Sequence, residues 1–303
     1  MRFWKYEPIV SRPPLQWPGG AHVAVVFVIA FETWELWREK DTGYSGGPGI
    51  LPPPSTRDVP DYVNYTWREY GLRVGIWRLM DLFDKYGIKP SVCMGAKAAE
   101  EYPLILDAMK QRGWELYGHS YEQDDLLTNY ALDRDAERRV IKLSLDTFER
   151  LVGRPAEGWI SPSMRSTRNT VPILAELGVK WFHDYVNDDQ PYLLDAGEGR
   201  TMVALPYDLD VNDYVMIMRQ NATPAEYAQC AKDAFDVLYE EGRTNGRMMN
   251  LGMHPHVLGR PHRIRALEGV IQHMRGHPNV WFAQAGEVAR WFETNGHRAT
   301  TLR

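Results

Sequence analysis

The run His22-Val-Ala-Val-Val-Phe-Val-Ile-Ala-Phe31 constrains the fold of this chain more than any other segment. It is nearly continuous in apolar residues and rich in Val. A strand that is apolar at every position has both faces covered, which is the environment of a parallel sheet flanked by helices. The rest of the chain repeats that theme. Residues 72–85 carry Leu72, Ile76, Leu79, Met80 and Phe83 on one helical face, and Gly87 ends the segment. Residues 89–94, 114–117, 158–160, 179–182, 202–205, 248–253 and 280–283 read as strands. Residues 96–112, 133–151, 169–177, 224–241, 263–274 and 285–292 read as the helices between and after them. Strand followed by helix, again and again, predicts an α/β fold: a distorted parallel (β/α) barrel of about seven strands. No linker or internal repeat divides the chain, so residues 1–303 are expected to form one domain with its core at about 21–292.

Composition narrows the function classes. Apolar residues at 44% and charged residues at 25% suit a globular chain that buries its own core. A formal charge of −5 gives no general attraction for nucleic acid or an anionic membrane, so neither is expected as a partner. The longest apolar run is too short to span a bilayer. Residues 1–20 lack the apolar stretch of a signal peptide. Cys93 and Cys230 stand alone and form neither a disulfide framework nor a zinc motif, so a reducing cytoplasm is the expected compartment. Residues 32–68 read as a long loop, with Gly43, Gly46, Gly47 and Gly49 and many aromatic residues, Trp34, Trp37, Tyr44, Tyr62, Tyr65 and Trp67 among them. Loops this long are usually functional or interfacial, and aromatic residues are enriched at interfaces. A homo-oligomer is therefore expected.

The chemistry is expected where the strands end. In parallel barrels the active site forms at the C-terminal rim. The strand over 248–253 ends in His254, the first strand in Glu32 and the strand over 114–117 in Gly118-His119. A Ser161-Pro-Ser-Met-Arg165 loop follows another strand, and Asp184, Asp208, Asn212 and Asp213 follow two more. Each alone is an ordinary structural residue. Together, a carboxylate and imidazoles at several strand ends of one barrel form a set suited to general acid–base hydrolysis.

Several segments then carry a family resemblance: Phe31-Glu32, Arg68-Glu-Tyr-Gly-Leu-Arg-Val-Gly75, Gly113-Trp-Glu-Leu-Tyr-Gly-His119, Arg165-Ser-Thr-Arg-Asn-Thr170 and His254-Pro-His-Val-Leu-Gly-Arg-Pro261. The chain resembles the polysaccharide deacetylase family, the NodB-homology fold, and within it an allantoinase-like branch. The resemblance implies a catalytic domain of NodB-homology type. It also implies an Asp-Asp pair and a His-x-x-x-His motif that hold a metal in the metal-dependent members. Here those positions read Glu32-Thr33 and His119-Ser-Tyr-Glu-Gln123. Glu32 and His119 are then the metal ligands if there is one. The expected cofactor is none, or a weakly bound divalent ion, zinc or manganese, since three protein ligands are the usual catalytic set.

The resulting expectation is a hydrolase of carbon–nitrogen bonds other than peptide bonds, opening a small cyclic amide, imide or ureide. Glu32 and His254 are the catalytic base and acid, and His119, Arg165, Asp184, Asn212 and Asp213 bind substrate. His256 and His262 are expected to be mild bystanders. Two alternatives stand beside it: an N-deacetylase of a sugar or other N-acyl substrate, and a catalytically inactive family member that binds a small molecule.

Overall fold

The computed structural model describes residues 2–36, 49–52 and 59–296. The strands are β1 (Val23–Phe31), β2 (Ser91–Met94), β3 (Glu115–Gly118), β4 (Gly158–Trp159), β5 (Trp181–Phe182), β6 (Tyr192–Gly197), β7 (Arg200–Ala204), β8 (Arg247–Met253) and β9 (Val280–Phe282). They form one nine-stranded sheet in the order β6-β7-β5-β4-β3-β2-β1-β8, with β9 on β1. All the pairings are parallel except β6 with β7. The helices are α1 (Tyr62–Tyr70), α2 (Ile76–Tyr86), α3 (Ala96–Glu101), α4 (Pro103–Gln111), α5 (Arg134–Val152), α6 (Thr170–Glu176), α7 (Pro224–Gly242), α8 (Pro261–Arg275) and α9 (Ala285–Asn295). The expected architecture is therefore present as a half-barrel, open between β8 and the β6–β7 edge. Polar groups span the opening. The Met248 N–H donates to Asp189 O (2.8 Å), Gln190 Nε2 to Gly246 O (2.7 Å), and Asn250 Nδ2 to Pro206 O.

β1 carries the architecture because it has neighbours on both edges. Val23 to Ile29 pair with β8. On the other edge Val23 to Val25 pair with β9 and Val28 to Phe31 with β2. Its side chains alternate between two cores. Val23, Val25, Phe27, Ile29 and Phe31 pack with Leu79, Phe83, Leu267 and Ile271 of the surrounding helices. Ala24, Val26, Val28 and Ala30 instead join Cys93, Tyr117, Trp181, Val203, Leu205 and Met248 inside the sheet's curve. This alternation aims the strand ends. Glu32 lies two residues beyond Ala30, His119 two beyond Tyr117, and His254 six beyond Met248, so all three continue the inner phase.

The 32–68 segment differs from its sequence reading. Residues 62–68 belong to α1, which Asp61 caps by accepting from Asn64 N. α1 then runs without a break through a π-helical turn (Gly71–Gly75) into α2. Trp37, Tyr44, Gly43, Gly46 and Gly47 lie outside the described residues. Two further differences are local. The helix expected over 96–112 is split at Tyr102-Pro103, where Pro starts α4. The β6–β7 hairpin adds an antiparallel edge, turning at Glu198-Gly199 with positive φ at both.

Candidate active site

Glu32 and His119 meet inside the rim. Both are buried, and His119 Nε2 lies 2.9 Å from Glu32 Oε1. His119 Nδ1 lies 2.8 Å from Ile160 O. A carbonyl oxygen can only accept, so Nδ1 carries a proton. A neutral ring would then turn a lone pair toward the carboxylate. The short Nε2–Oε1 contact therefore requires a second proton in the pair. Burial pushes the Glu32 carboxyl up. The hydrogen bond from His119 and the positive charges of His254, His119 and Arg68 outweigh it and hold Glu32 below its ordinary range. Burial pushes His119 down, but its bond to Glu32 lifts it above the usual imidazole range. Both directions describe an imidazolium donating to a carboxylate. Glu32 Oε2 is buried and has no hydrogen-bond partner among the described residues.

His254 is built the same way from the other side. Asp213, fully buried, accepts from the His254 backbone N–H through Oδ2 (2.8 Å) and from Nδ1–H through Oδ1 (2.7 Å). This two-point grip fixes the ring and its tautomer. Nε2 is left facing out, and the side chain keeps 16% exposure. Burial lowers the proton affinity of His254, but the charge and hydrogen bond of Asp213 outweigh it, with Glu32 adding to the effect, so the ring holds its proton above the usual range. Glu32 and His254 are close enough for each charge to shift the other.

Aromatic residues wall this pair. Trp34 and Trp67 set their rings against His256 at 5.2 and 4.7 Å, and Tyr214 lies 5.3 Å from His254. His256 is buried among them, and burial followed by the charges of His254, Arg68, Arg260 and Arg263 keeps it well below the ordinary imidazole range. Its ring packs the His254 segment against Trp34, Trp67 and Tyr214. Arg68 is buried as well, lies over the Trp34 ring at 5.2 Å and bears electrostatically on Glu32. Its place in the Arg68-Glu-Tyr-Gly segment was the available signal, yet it was not among the expected site residues.

The other expected substrate contacts fare differently. Arg165 is exposed, following a short 3-10 turn over Pro162–Met164. The buried guanidinium beside Glu32 belongs to Arg68 instead. Asn212 spends its amide on structure: Oδ1 accepts from Tyr214 N (3.0 Å) and Val215 N (3.1 Å), and Nδ2 reaches Tyr207 Oη (3.2 Å). Asp213 spends both oxygens on His254. Asn212 and Asp213 are thus positioning residues. Asp184 is buried and accepts from Ser161 N (2.7 Å), and burial raises its carboxyl to about 6 against the hydrogen bonds of Ser161 and Ser166. Asp208 is partly buried and accepts from Asp210 N (2.8 Å). Asp188 pairs with Arg12 near the strand starts. A cavity of about 990 Å³ lies at that end too, lined by Trp4, Arg12, Asp188, Tyr192 and Met202, and shares no residue with the rim.

Strained backbone clusters at the rim. Ser120, Ser163 and Met164 have φ of 59°, 52° and 55°. Such outliers persist where the surrounding structure holds them and are common at functional sites. Ser120 carries the chain past His119, and Ser163 faces Gln123, whose Nε2 lies 3.5 Å from Ser163 Oγ and whose Oε1 is buried without a partner among the described residues.

The residues at the expected metal positions fall one short of the usual catalytic ligand set. Glu32 and His119 offer two ligand side chains there, and the third position is the amide of Gln123. Catalytic zinc takes three His, Asp, Glu or Cys ligands. Among the described residues, side chains of that kind with ligand spacing gather elsewhere, at Asp236, His273 and His277.

Residues 62–182 match the polysaccharide deacetylase family. A Schizosaccharomyces pombe protein assigned provisionally as a polysaccharide deacetylase is 29% identical over 97% of this chain and 96% of its own length. The crystal structure of a probable polysaccharide deacetylase from Pseudomonas aeruginosa PAO1 is similar with a TM-score of 0.83 and 30% identity, over 94% of this chain and 95% of that one. The crystal structure of PuuE allantoinase gives a TM-score of 0.82 and 29% identity over the same shares of the two chains.

Proposed function

Because this chain belongs to the polysaccharide deacetylase family, we propose that it is a hydrolase of non-peptide carbon–nitrogen bonds that opens a small cyclic amide, imide or ureide. One observation carries the reading. Two orienting pairs each leave one reactive atom open: His119 holds Glu32 by Oε1 and leaves Oε2, and Asp213 holds His254 by Nδ1 and leaves Nε2. Glu32 Oε2 takes a proton from water as its oxygen bonds the substrate carbonyl carbon. His254 Nε2–H gives a proton to the ring nitrogen as the C–N bond breaks. The products are a carboxylic acid and a freed N–H group, with one water consumed. No metal enters these steps. A carboxylate held below its ordinary range is fully ionised at neutral pH but a weak base. The larger share then falls to positioning and to the imidazolium acid. The acceptors Glu32 Oε2 and Gln123 Oε1 and the Nε1–H of Trp34, buried without partners among the described residues, suit a ligand that presents both N–H and C=O, as a ureide does. Likeness to PuuE allantoinase supports ring opening.

N-deacetylation uses the same atoms and is the second reading, supported by the names of the relatives. The deciding experiment is a turnover screen of cyclic ureides, imides and N-acetyl sugars on enzyme of measured metal content. Hydrolysis of a cyclic substrate is expected, with Glu32→Gln and His254→Ala each lowering kcat by about 10²–10⁴-fold. Turnover of N-acetyl sugars alone would replace the first reading with the second. A cytoplasmic homo-oligomer is part of the same proposal, and light scattering in dilute solution tests the assembly.

A further inference from the structure

Far from the rim, α7 and α8 bring three ligating side chains together. Asp236 lies on α7, His273 near the end of α8, and His277 one turn later. Asp236 Oδ1 is 2.6 Å from His273 Nε2 and 3.9 Å from His277 Nε2, and the three ligand atoms all lie within 4.8 Å of one another. From these positions we propose that Asp236, His273 and His277 form a divalent transition-metal site, with zinc the best-suited ion, that cross-links α7 to α8.

Three features make this more than a chance meeting. First, the tautomer of His277 is set. Its Nδ1 lies 3.0 Å from His273 O, so Nδ1 carries the proton and Nε2 presents a lone pair toward Asp236. That is how ligating histidines are commonly oriented by a backbone carbonyl. Second, the rings are held by packing. Phe235 stands edge-on to both, with centroids at 5.8 and 5.1 Å, and Tyr239 lies 4.9 Å from His277. Third, the spacing suits the ion. Ligand atoms at tetrahedral angles around zinc, with bonds near 2.0–2.1 Å, sit roughly 3.4 Å apart. Opening the His273–Asp236 contact by about 0.8 Å and closing the His277–Asp236 one by about 0.5 Å brings both carboxylate–imidazole pairs to that value. Two imidazoles and a carboxylate suit zinc, and water fills the remaining position. His22 packs on Tyr239 at the foot of β1, so the cross-link sits near the starts of the strands, away from Glu32.

The test uses the full chain stripped with chelator and dialysed. Zinc chloride at tens of micromolar should raise Tm by on the order of 5 °C, as expected for an ion bound only by the folded state. His277→Gln and Asp236→Asn should each abolish the rise, and Glu32→Gln should keep it. Cobalt in place of zinc should give visible d–d absorption in the parent protein and lose it in His277→Gln. The proposal is overturned if zinc leaves Tm unchanged, or if the rise survives both α7–α8 variants. A rise that disappears with Glu32→Gln while persisting in His277→Gln would move the ion to the rim and also overturn it.

Discussion

Asp213 does most to make His254 an acid, and it can be tested alone. Its two oxygens hold the backbone N–H and Nδ1–H of His254, and its charge raises the proton affinity of the ring. Asp213→Asn keeps the volume but removes the charge. The imidazolium then loses its support, and the alkaline limb of the pH–rate profile should move to lower pH, with kcat at neutral pH down on the order of 10²-fold. A purely structural Asp213 would lower the rate equally at every pH and leave the limb in place. The acid limb, set by Glu32, should lie on the acid side of an ordinary carboxylate in the parent enzyme. Glu32, His119 and His254 were legible in the sequence because each ends a strand, and strand alternation fixes which way such a residue points. Asp213 and Arg68 were not legible in these roles. Asp213 meets His254 across 41 residues of chain, a distance that no local pattern spans.

The α1–α2 rod shows the same limit for elements. Its first turns are aromatic and charged, and Gly71 and Gly75 interrupt the apolar period, so the sequence read as loop up to residue 68. Packing explains the glycines. A Cβ on Gly75 would lie 2.0 Å from Pro255 O, and one on Gly71 would lie 2.6 Å from His256 N. Gly259 faces Gly75 so closely that its own Cβ would meet the Gly75 Cα at 2.5 Å. The π-helical turn thus lies directly against the backbone that presents His254. Arginines fasten the contact: Arg78 donates to Gly259 O (3.0 Å), while Arg260 donates to Trp67 O (3.1 Å) and stacks on the Tyr70 ring. The co-occurrence of the Glu-Tyr-Gly-x-Arg-Val-Gly and Gly-Arg-Pro segments is one packing contact written in two places. Gly75→Ala should therefore destabilise the fold by about 1–3 kcal/mol through overpacking, and shift His254 enough to lower kcat well beyond that loss of folded enzyme. Urea denaturation and rates measured on the folded fraction check the two parts. A neutral Gly75→Ala would show that the contact is looser than its geometry.

Inside the barrel the charges are set against each other, and this sets how the stability of the fold depends on pH. His183 continues the inner phase two residues beyond Trp181, among Tyr117, Trp181 and Tyr207. Nδ1 lies 2.8 Å from Leu205 O, and burial drives the imidazole down to about 4 from 6.5. Its neighbour Asp184 is held up at about 6 from 3.8. The signs are opposite. As pH falls from 6.5 to about 4 the unfolded chain takes up a proton that native His183 refuses, so the stability from the neutral ring is full above 6.5 and lost on acidification. Native Asp184 keeps a proton that the unfolded chain releases, so its stability is full below 3.8 and lost as pH rises to about 6. Shifts of this size are each worth about 3 kcal/mol, so the two nearly cancel between pH 4 and 6.5. Single substitutions unmask them. Relative to the parent, His183→Gln should gain about 3 kcal/mol on going from pH 6.5 to 4, and Asp184→Asn should lose about as much. Urea midpoints at several pH values measure both differences. If the two differences stay flat or run in the same direction, the adjacent residues just after β5 do not oppose each other as their burial requires.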